Sequence, residues 1–169
     1  AWETENMIRV YHKVERSFIR VDADEVTYPL HIVLRYRLEK AIVAGELDVR
    51  DIPEAWNTGF KDLLGIDVTS DADGCLQDIH WFDGLFGYFP TYTLGAMTAA
   101  QLYRAARDAN AAIGDGVAKG DFRPLVTWLR ENVHESGRLL PAPDLLTEVT
   151  GRPLETAPFI EHLKSRYLP

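Results

Sequence analysis

The sequence predicts an all-α fold, a compact array of several helices, on three observations. Apolar residues recur at helical spacing along most of the chain. Proline stands in the first turn, and glycine just past the end, of several of these segments. One long segment is dense in alanine, the strongest helix former. Residues 1–169 read as one helical unit, with no internal repeat, low-complexity tract or linker.

Met7, Val10 or Tyr11, Val14 and Phe18 place an amphipathic helix near Thr4 to Arg20. A second helix runs through Val26, Leu30, Val33, Leu34, Leu38, Ala41 and Ile42 and stops at Gly45. Pro29 either kinks it or sets its start near Thr27. A third begins at Pro53, carries Trp56, Phe60, Leu63 and Leu64 on one face, and ends at Gly65. Residues 66–87 read as a long loop, with a turn cluster at Ser70–Gly74. Its aromatics Trp81, Phe82, Phe86 and Tyr88 argue that it is ordered, and loops this long in small domains are usually functional or disordered. The alanine-rich helix extends from about Pro90 to Ile113, and Gly114 to Gly120 form a break. Asp121 opens a helix that carries Leu125, Val126, Trp128, Leu129 and Val133 and ends at Gly137. A short helix follows from Pro141 to Gly151. Thr156 caps a last one, with Pro158 in its first turn and Phe159, Leu163 and Tyr167 inward.

Composition bounds the function. The 169 residues are enough to bury a real core. A net charge of −8 argues against a general nucleic-acid binder, which needs a basic footprint. The single cysteine, Cys75, rules out an internal disulfide framework and fits a reducing cytoplasm. No apolar run approaches the roughly 18 residues of a membrane span. The polar, acidic start lacks a signal-peptide pattern. It also lacks an initiator methionine, as in a processed, trimmed or partial chain.

The run Gly84-Leu85-Phe86-Gly87-Tyr88-Phe89-Pro90-Thr91-Tyr92-Thr93-Leu94-Gly95 suits neither a regular helix nor a strand. Glycine allows close approach, proline suits a helix start, and tyrosine joins a hydroxyl to a rigid apolar body. A loop of this kind feeding a helix is plausible site architecture. Its tyrosines are equally explained by aromatic packing at a loop–helix junction. Upstream, Ile19-Arg20-Val21-Asp22-Ala23-Asp24-Glu25 joins two helices. Arginine near a helix C-terminus and acids near an N-terminus are both favoured by the helix dipole, so Asp22 or Asp24 fits a plain cap. His80, beside Trp81, reads either as a packed histidine or as a group poised to titrate near neutral pH.

Gly87 to Gly95 matches the motif GYFPTYxLG, and Ile19 to Asp24 matches IRxxAD. With both in order, the chain resembles the carboxypeptidase Taq family of zinc-dependent metallocarboxypeptidases. The likeness runs from Ile19 to Glu161–Tyr167 but covers only the family's C-terminal part. The resemblance implies the C-terminal portion of a larger, mostly helical, cytoplasmic and commonly homodimeric enzyme. Such an enzyme uses zinc or cobalt to activate water and trims amino acids from peptide C-termini, with a deep groove and broad side-chain tolerance. It also implies residue roles. Arg20 binds the substrate carboxylate, which a planar guanidinium meets with two parallel hydrogen bonds. Tyr92 first, then His80 and Tyr88, contact the carboxylate or the intermediate, and Asp24 and Glu25 orient neighbours. Gly84 and Gly87 let backbone pass the substrate. The partners are the peptide C-terminus, the N-terminal part of the same protein and a possible second copy, with no nucleic acid and no membrane.

No metal site is legible, and no ligand is assigned. None of His12, His31, His80, His134 and His162 has a partner at the spacing of HExxH. The family's HPF and DxRxT motifs are missing too. His134-Glu135-Ser136 is similar to the family's HES motif, but it follows IRxxAD by more than a hundred residues where the family places it before. Capping explains His134 better. Thr69 to His80 has some spacing of a calcium loop, but with Thr first and His last it lacks the required acids. The chain alone is therefore expected to fold, to expose apolar surface and to lack peptidase activity and tight zinc binding. The alternative is a non-catalytic helical interaction or dimerisation module.

Overall fold

Residues 2–168, which the computed structural model describes, form eight α-helices with no β-strand among them. The terminal residues 1 and 169 of the unit read from sequence lie outside that range. The chain divides into two units, one up to Thr93 and one from Leu94 onward.

In the first unit, α1 (Thr4–Tyr11) precedes α2 (Tyr28–Val43) and α3 (Ile52–Leu64). Pro29 lies in the first turn of α2, so it starts that helix rather than kinking it. Past the two helix ends stand Gly45 and Gly65, at φ +72° and +71°. Helices α2 and α3 pack against each other. Their apolar faces form the core, with Leu34, Leu38, Trp56, Phe60, Leu64 and Cys75 buried together. Each large side chain removed from water there contributes about 1.5–3 kcal/mol.

The helix expected to reach Arg20 ends at Tyr11, and none of its residues is buried. The chain that follows finds long-range partners that override the local apolar period. The Glu15 amide donates to Asp24 Oδ2 at 2.9 Å, and Arg16 Nη1 donates to the Leu64 carbonyl at 3.2 Å. Phe18 stacks on Phe60 at 6.2 Å between ring centroids. A single 3₁₀ turn, Arg20–Asp22, then leads towards α2. Residues 65–89 hold no regular helix but fold into successive turns. Trp81 stands edge-on to Trp56, and Phe89 is fully buried.

Helix α4 (Pro90–Ala109) leads into the second unit, which continues with α5 (Ala112–Ala118), α6 (Arg123–Leu129), α7 (Ala142–Thr150) and α8 (Ala157–Tyr167). The break after α4 comes earlier than the glycines suggest. Asn110 Oδ1 accepts the Ala112 amide at 3.0 Å and starts a new helix that runs through Gly114 and Gly116. Gly116 is there for space: a Cβ would stand 2.6 Å from the Asp121 carbonyl oxygen. Asp121 Oδ1 accepts the Arg123 amide at the head of α6. That helix continues as a π turn, Arg130–His134, where Asn132 Nδ2 donates to the Trp128 carbonyl. Thr156 precedes α8, but its side chain makes no capping bond. Buried Gln101 instead secures this region, donating to the Pro153 carbonyl and accepting the Glu155 amide, each at 2.9 Å.

Candidate functional site

Three pieces of the first unit converge on one cluster. Helix α2 presents Tyr28, His31, Arg35 and Glu39 at successive spacings of three and four residues, which is one stripe of an α-helix. The turn at Arg20 supplies a guanidinium. Residues 77–92, through the first turn of α4, supply Gln77, Asp78, His80, Trp81, Tyr88, Phe89 and Tyr92.

Asp78 is the centre. Its Oδ1 accepts Arg20 Nε at 2.9 Å and Arg20 Nη2 at 2.7 Å, while Oδ2 accepts Arg35 Nε at 2.6 Å. Arg20 and Arg35 are buried, Arg35 completely, and the Asp78 side chain is 10% exposed. Gln77 adds a second grip, its Oε1 accepting both the Arg20 amide at 2.8 Å and Arg35 Nη2 at 2.9 Å. Its Nε2 donates to the Phe18 and Asp73 carbonyls. Arg20 Nη1 donates to the Tyr28 hydroxyl at 2.8 Å, and the guanidinium lies 5.1 Å from the Tyr92 ring centroid. Arg35 lies 4.6 Å from the Trp56 centroid and donates to the His31 carbonyl.

The electrostatics follow from two cations sharing one anion. Burial alone would push the Asp78 carboxyl up, but Arg20 and Arg35 outweigh it and hold the group below the usual carboxylate range. Burial likewise opposes the charge on Arg20, yet Asp78 and Tyr28 raise its pKa above the usual arginine value. In Arg35 burial wins, so its pKa falls to about 10, which leaves it charged at neutral pH. His31 is driven down to about 4, chiefly by burial and then by Arg35 and Arg20.

His80 Nε2 and the Tyr92 hydroxyl are hydrogen-bonded at 2.9 Å. The His80 ring lies 4.3 Å from that of Phe89, and its Nδ1 lies 3.8 Å from Asp78 Oδ1. Burial pushes the Tyr92 phenol up, against the pull of Arg20, so it is neutral at pH 7. Tyr88 is half exposed, its ring 5.5 Å from that of Tyr92 and 5.7 Å from that of His80. Its carbonyl accepts Thr91 Oγ1 at the start of α4. The loop before it is pinned by buried Glu39, which accepts Trp81 Nε1 at 3.0 Å and the Gly87 amide at 3.2 Å. Gly84 and Gly87 sit at φ +72° and +78°, a conformation that L side chains resist.

Arg20, His80, Tyr88 and Tyr92 thus share one cluster. Asp24 holds the turn that precedes α2. Its Oδ1 accepts the Val26 and Thr27 amides, and its Oδ2 accepts the Thr27 hydroxyl. His134 lies on the π turn of the second unit, and Ser70–Asp73 form a local hydrogen-bonded turn. Among the described residues, no three His, Cys, Asp or Glu are placed to hold a metal ion. Sequence reasoning missed Tyr28, Arg35, Asp78 and Glu39 as site residues. The available signal was charge on the buried stripe of α2, where Arg35 and Glu39 interrupt the run of Ile32, Leu34 and Leu38.

The family profile described as carboxypeptidase Taq (M32) metallopeptidase matches residues 1–167. Carboxypeptidase 1 of Bacillus subtilis is 42% identical over 163 residues, which are 96% of this chain and 32% of that protein. Thermostable carboxypeptidase 1 of Thermus thermophilus is 44% identical over 154 residues, 91% of this chain and 30% of that one. Among solved structures, metallocarboxypeptidase 1 of Trypanosoma cruzi superposes with a TM-score of 0.94 at 40% identity, over 100% of this chain and 36% of its own. The chain spans about a third of the length of the curated relatives it matches.

Proposed function

This chain belongs to the carboxypeptidase Taq (M32) metallopeptidase family, and from that we propose that it is part of a peptidase that removes C-terminal amino acids from peptides, its own share being to hold the substrate's terminal carboxylate. The observation that carries this reading is the cluster at Arg20. Arg20 shares its ion-pair partner Asp78 with Arg35, so that one carboxylate does not offset the Arg20 charge in full and an incoming anion can meet it. Asp78 and Tyr28 engage three of the five Arg20 N–H groups. One N–H on each Nη is left for the two oxygens of a carboxylate.

His80 and Tyr92 extend the recognition. With the imidazole proton on Nε2, His80 donates to the Tyr92 oxygen, and the phenol O–H is free to donate to the substrate carboxylate or to a developing oxyanion. Tyr88, next to both rings and half exposed, closes the side of the site facing solvent. The described side chains do not fit a metal centre. In this reading zinc or cobalt is held by other residues of the same protein, and the 169 residues act as one recognition unit that does not hydrolyse peptides alone. In the same reading the whole enzyme is cytoplasmic, and a second copy of it is a candidate partner.

The test is Arg20→Ala in the complete protein. Loss of a charge-assisted pair predicts a drop in kcat/KM for peptides of about 10- to 100-fold with the fold retained. Unchanged kinetics would remove Arg20 from the site. Metal analysis of the isolated chain that found one tightly held zinc would refute the division of labour.

A further inference from the structure

We propose that Asp78 and Arg35 are positioning residues, which fix the edge of Arg20 that is offered to a carboxylate. The proposal rests on the reading of Arg20 given above and extends it to two residues that touch no substrate.

An arginine can present a carboxylate with either its side edge, Nε and Nη2, or its end edge, Nη1 and Nη2. Asp78 Oδ1 occupies the side edge with both bonds, which leaves the end edge, where the Tyr28 hydroxyl takes one Nη1 hydrogen and one N–H on each Nη remains. That assignment holds only while Asp78 is itself immobile. Asp78 lies on a segment with no regular helix, which alone gives little rigidity. Its second oxygen is held by Arg35, and Arg35 is rigid for three independent reasons. It sits in the middle of α2, it donates to the carbonyl of His31 one turn back, and its guanidinium is clamped between Gln77 Oε1 and the Trp56 ring. The chain of support therefore runs from α2 through Arg35 and Asp78 to Arg20. Gln77 ties the same two arginines at a second point, through the Arg20 amide. Full burial of Arg35 excludes a direct role on substrate.

The experiment uses the complete metallopeptidase and two probes that differ only at the terminus, N-acetylphenylalanine and its amide. Calorimetry gives the ratio of their dissociation constants. Wild type is expected to prefer the acid by at least about tenfold, which is about 1.4 kcal/mol, and Arg20→Ala to abolish the preference. Asp78→Asn is expected to cut the preference to about twofold or less while the amide binds unchanged within about twofold. Arg35→Lys, which keeps the charge but loses the fork, is expected to retain a part of the preference. It decides alone, on the same ratio, should Asp78→Asn not fold.

A merely structural role weakens acid and amide alike, and that result overturns the proposal. If Arg20→Ala loses the preference and Asp78→Asn keeps it, the positioning role falls and the reading of Arg20 stands. If wild type binds both probes equally, or Arg20→Ala keeps the preference, the reading of Arg20 itself falls.

Discussion

Replacing His31 with leucine should remove one contribution to the chain's loss of stability in acid. His31 is 0% exposed, stands edge-on to Phe60 at 5.5 Å, and has no hydrogen-bond partner on either ring nitrogen among the described residues. Burial, Arg35 and Arg20 hold its pKa at about 4, against an ordinary value of 6.5. Asp78 and Asp24 pull the other way and do not prevail. Between these two values the unfolded chain takes up a proton that the folded chain refuses. Stability is therefore complete above about pH 6.5 and falls as the pH drops towards 4. The gap of about 2.5 units corresponds to roughly 3 kcal/mol, most of it already lost at about pH 4.5. In the Leu variant that loss vanishes. At pH 7 the variant should be within about 1 kcal/mol of wild type, because an unpartnered buried polar ring gives way to an apolar group of similar size. Urea unfolding of wild type and His31→Leu at pH 7 and pH 4.5 provides the comparison, and the double difference cancels the carboxylates common to both. Equal acid losses in the two proteins would refute the assignment of His31 as a neutral buried base.

Glu39→Gln removes one of the two acceptors that hold Trp81 and Gly87. A loss of about 1–3 kcal/mol is expected, with faster hydrogen exchange at the Gly87 amide, and unchanged exchange would show that the loop holds itself. Gly116→Ala forces a methyl to 2.6 Å from the Asp121 carbonyl. It should cost about 1–3 kcal/mol by thermal unfolding, and a neutral outcome would mean that the turn after α5 yields freely. Gln101→Ala leaves the Glu155 amide and the Pro153 carbonyl without their partner. It should destabilise by about 1–3 kcal/mol, visible as a lower urea midpoint for fluorescence of the second unit's sole tryptophan, Trp128; an unmoved midpoint would count against that role.

Much of the fold was legible because helices declare their ends locally. Pro29, Pro53 and Pro158 stand in first turns, and Gly45, Gly65 and Gly151 take positive φ just past last turns. The misreadings came where distant atoms decide. Val14 and Phe18 continue the period of α1, yet Asp24, Leu64 and Phe60 draw the chain out of the helix. Asn110 breaks α4 through a side-chain bond that no periodicity announces. The site divides in the same way. Arg20, His80 and Tyr92 sit in recognisable runs and do meet. Asp78 bonds Arg20 across 58 positions and Arg35 across 43, so neither pairing has any local signature.

The sharing of Asp78 by two arginines also constrains how this protein can drift. Losing the acid strands two cations, and losing either arginine unbalances the acid left behind. Effects at these positions cannot simply add. Descendants of this sequence should therefore keep all three or exchange them as a set, passing through intermediates that selection penalises.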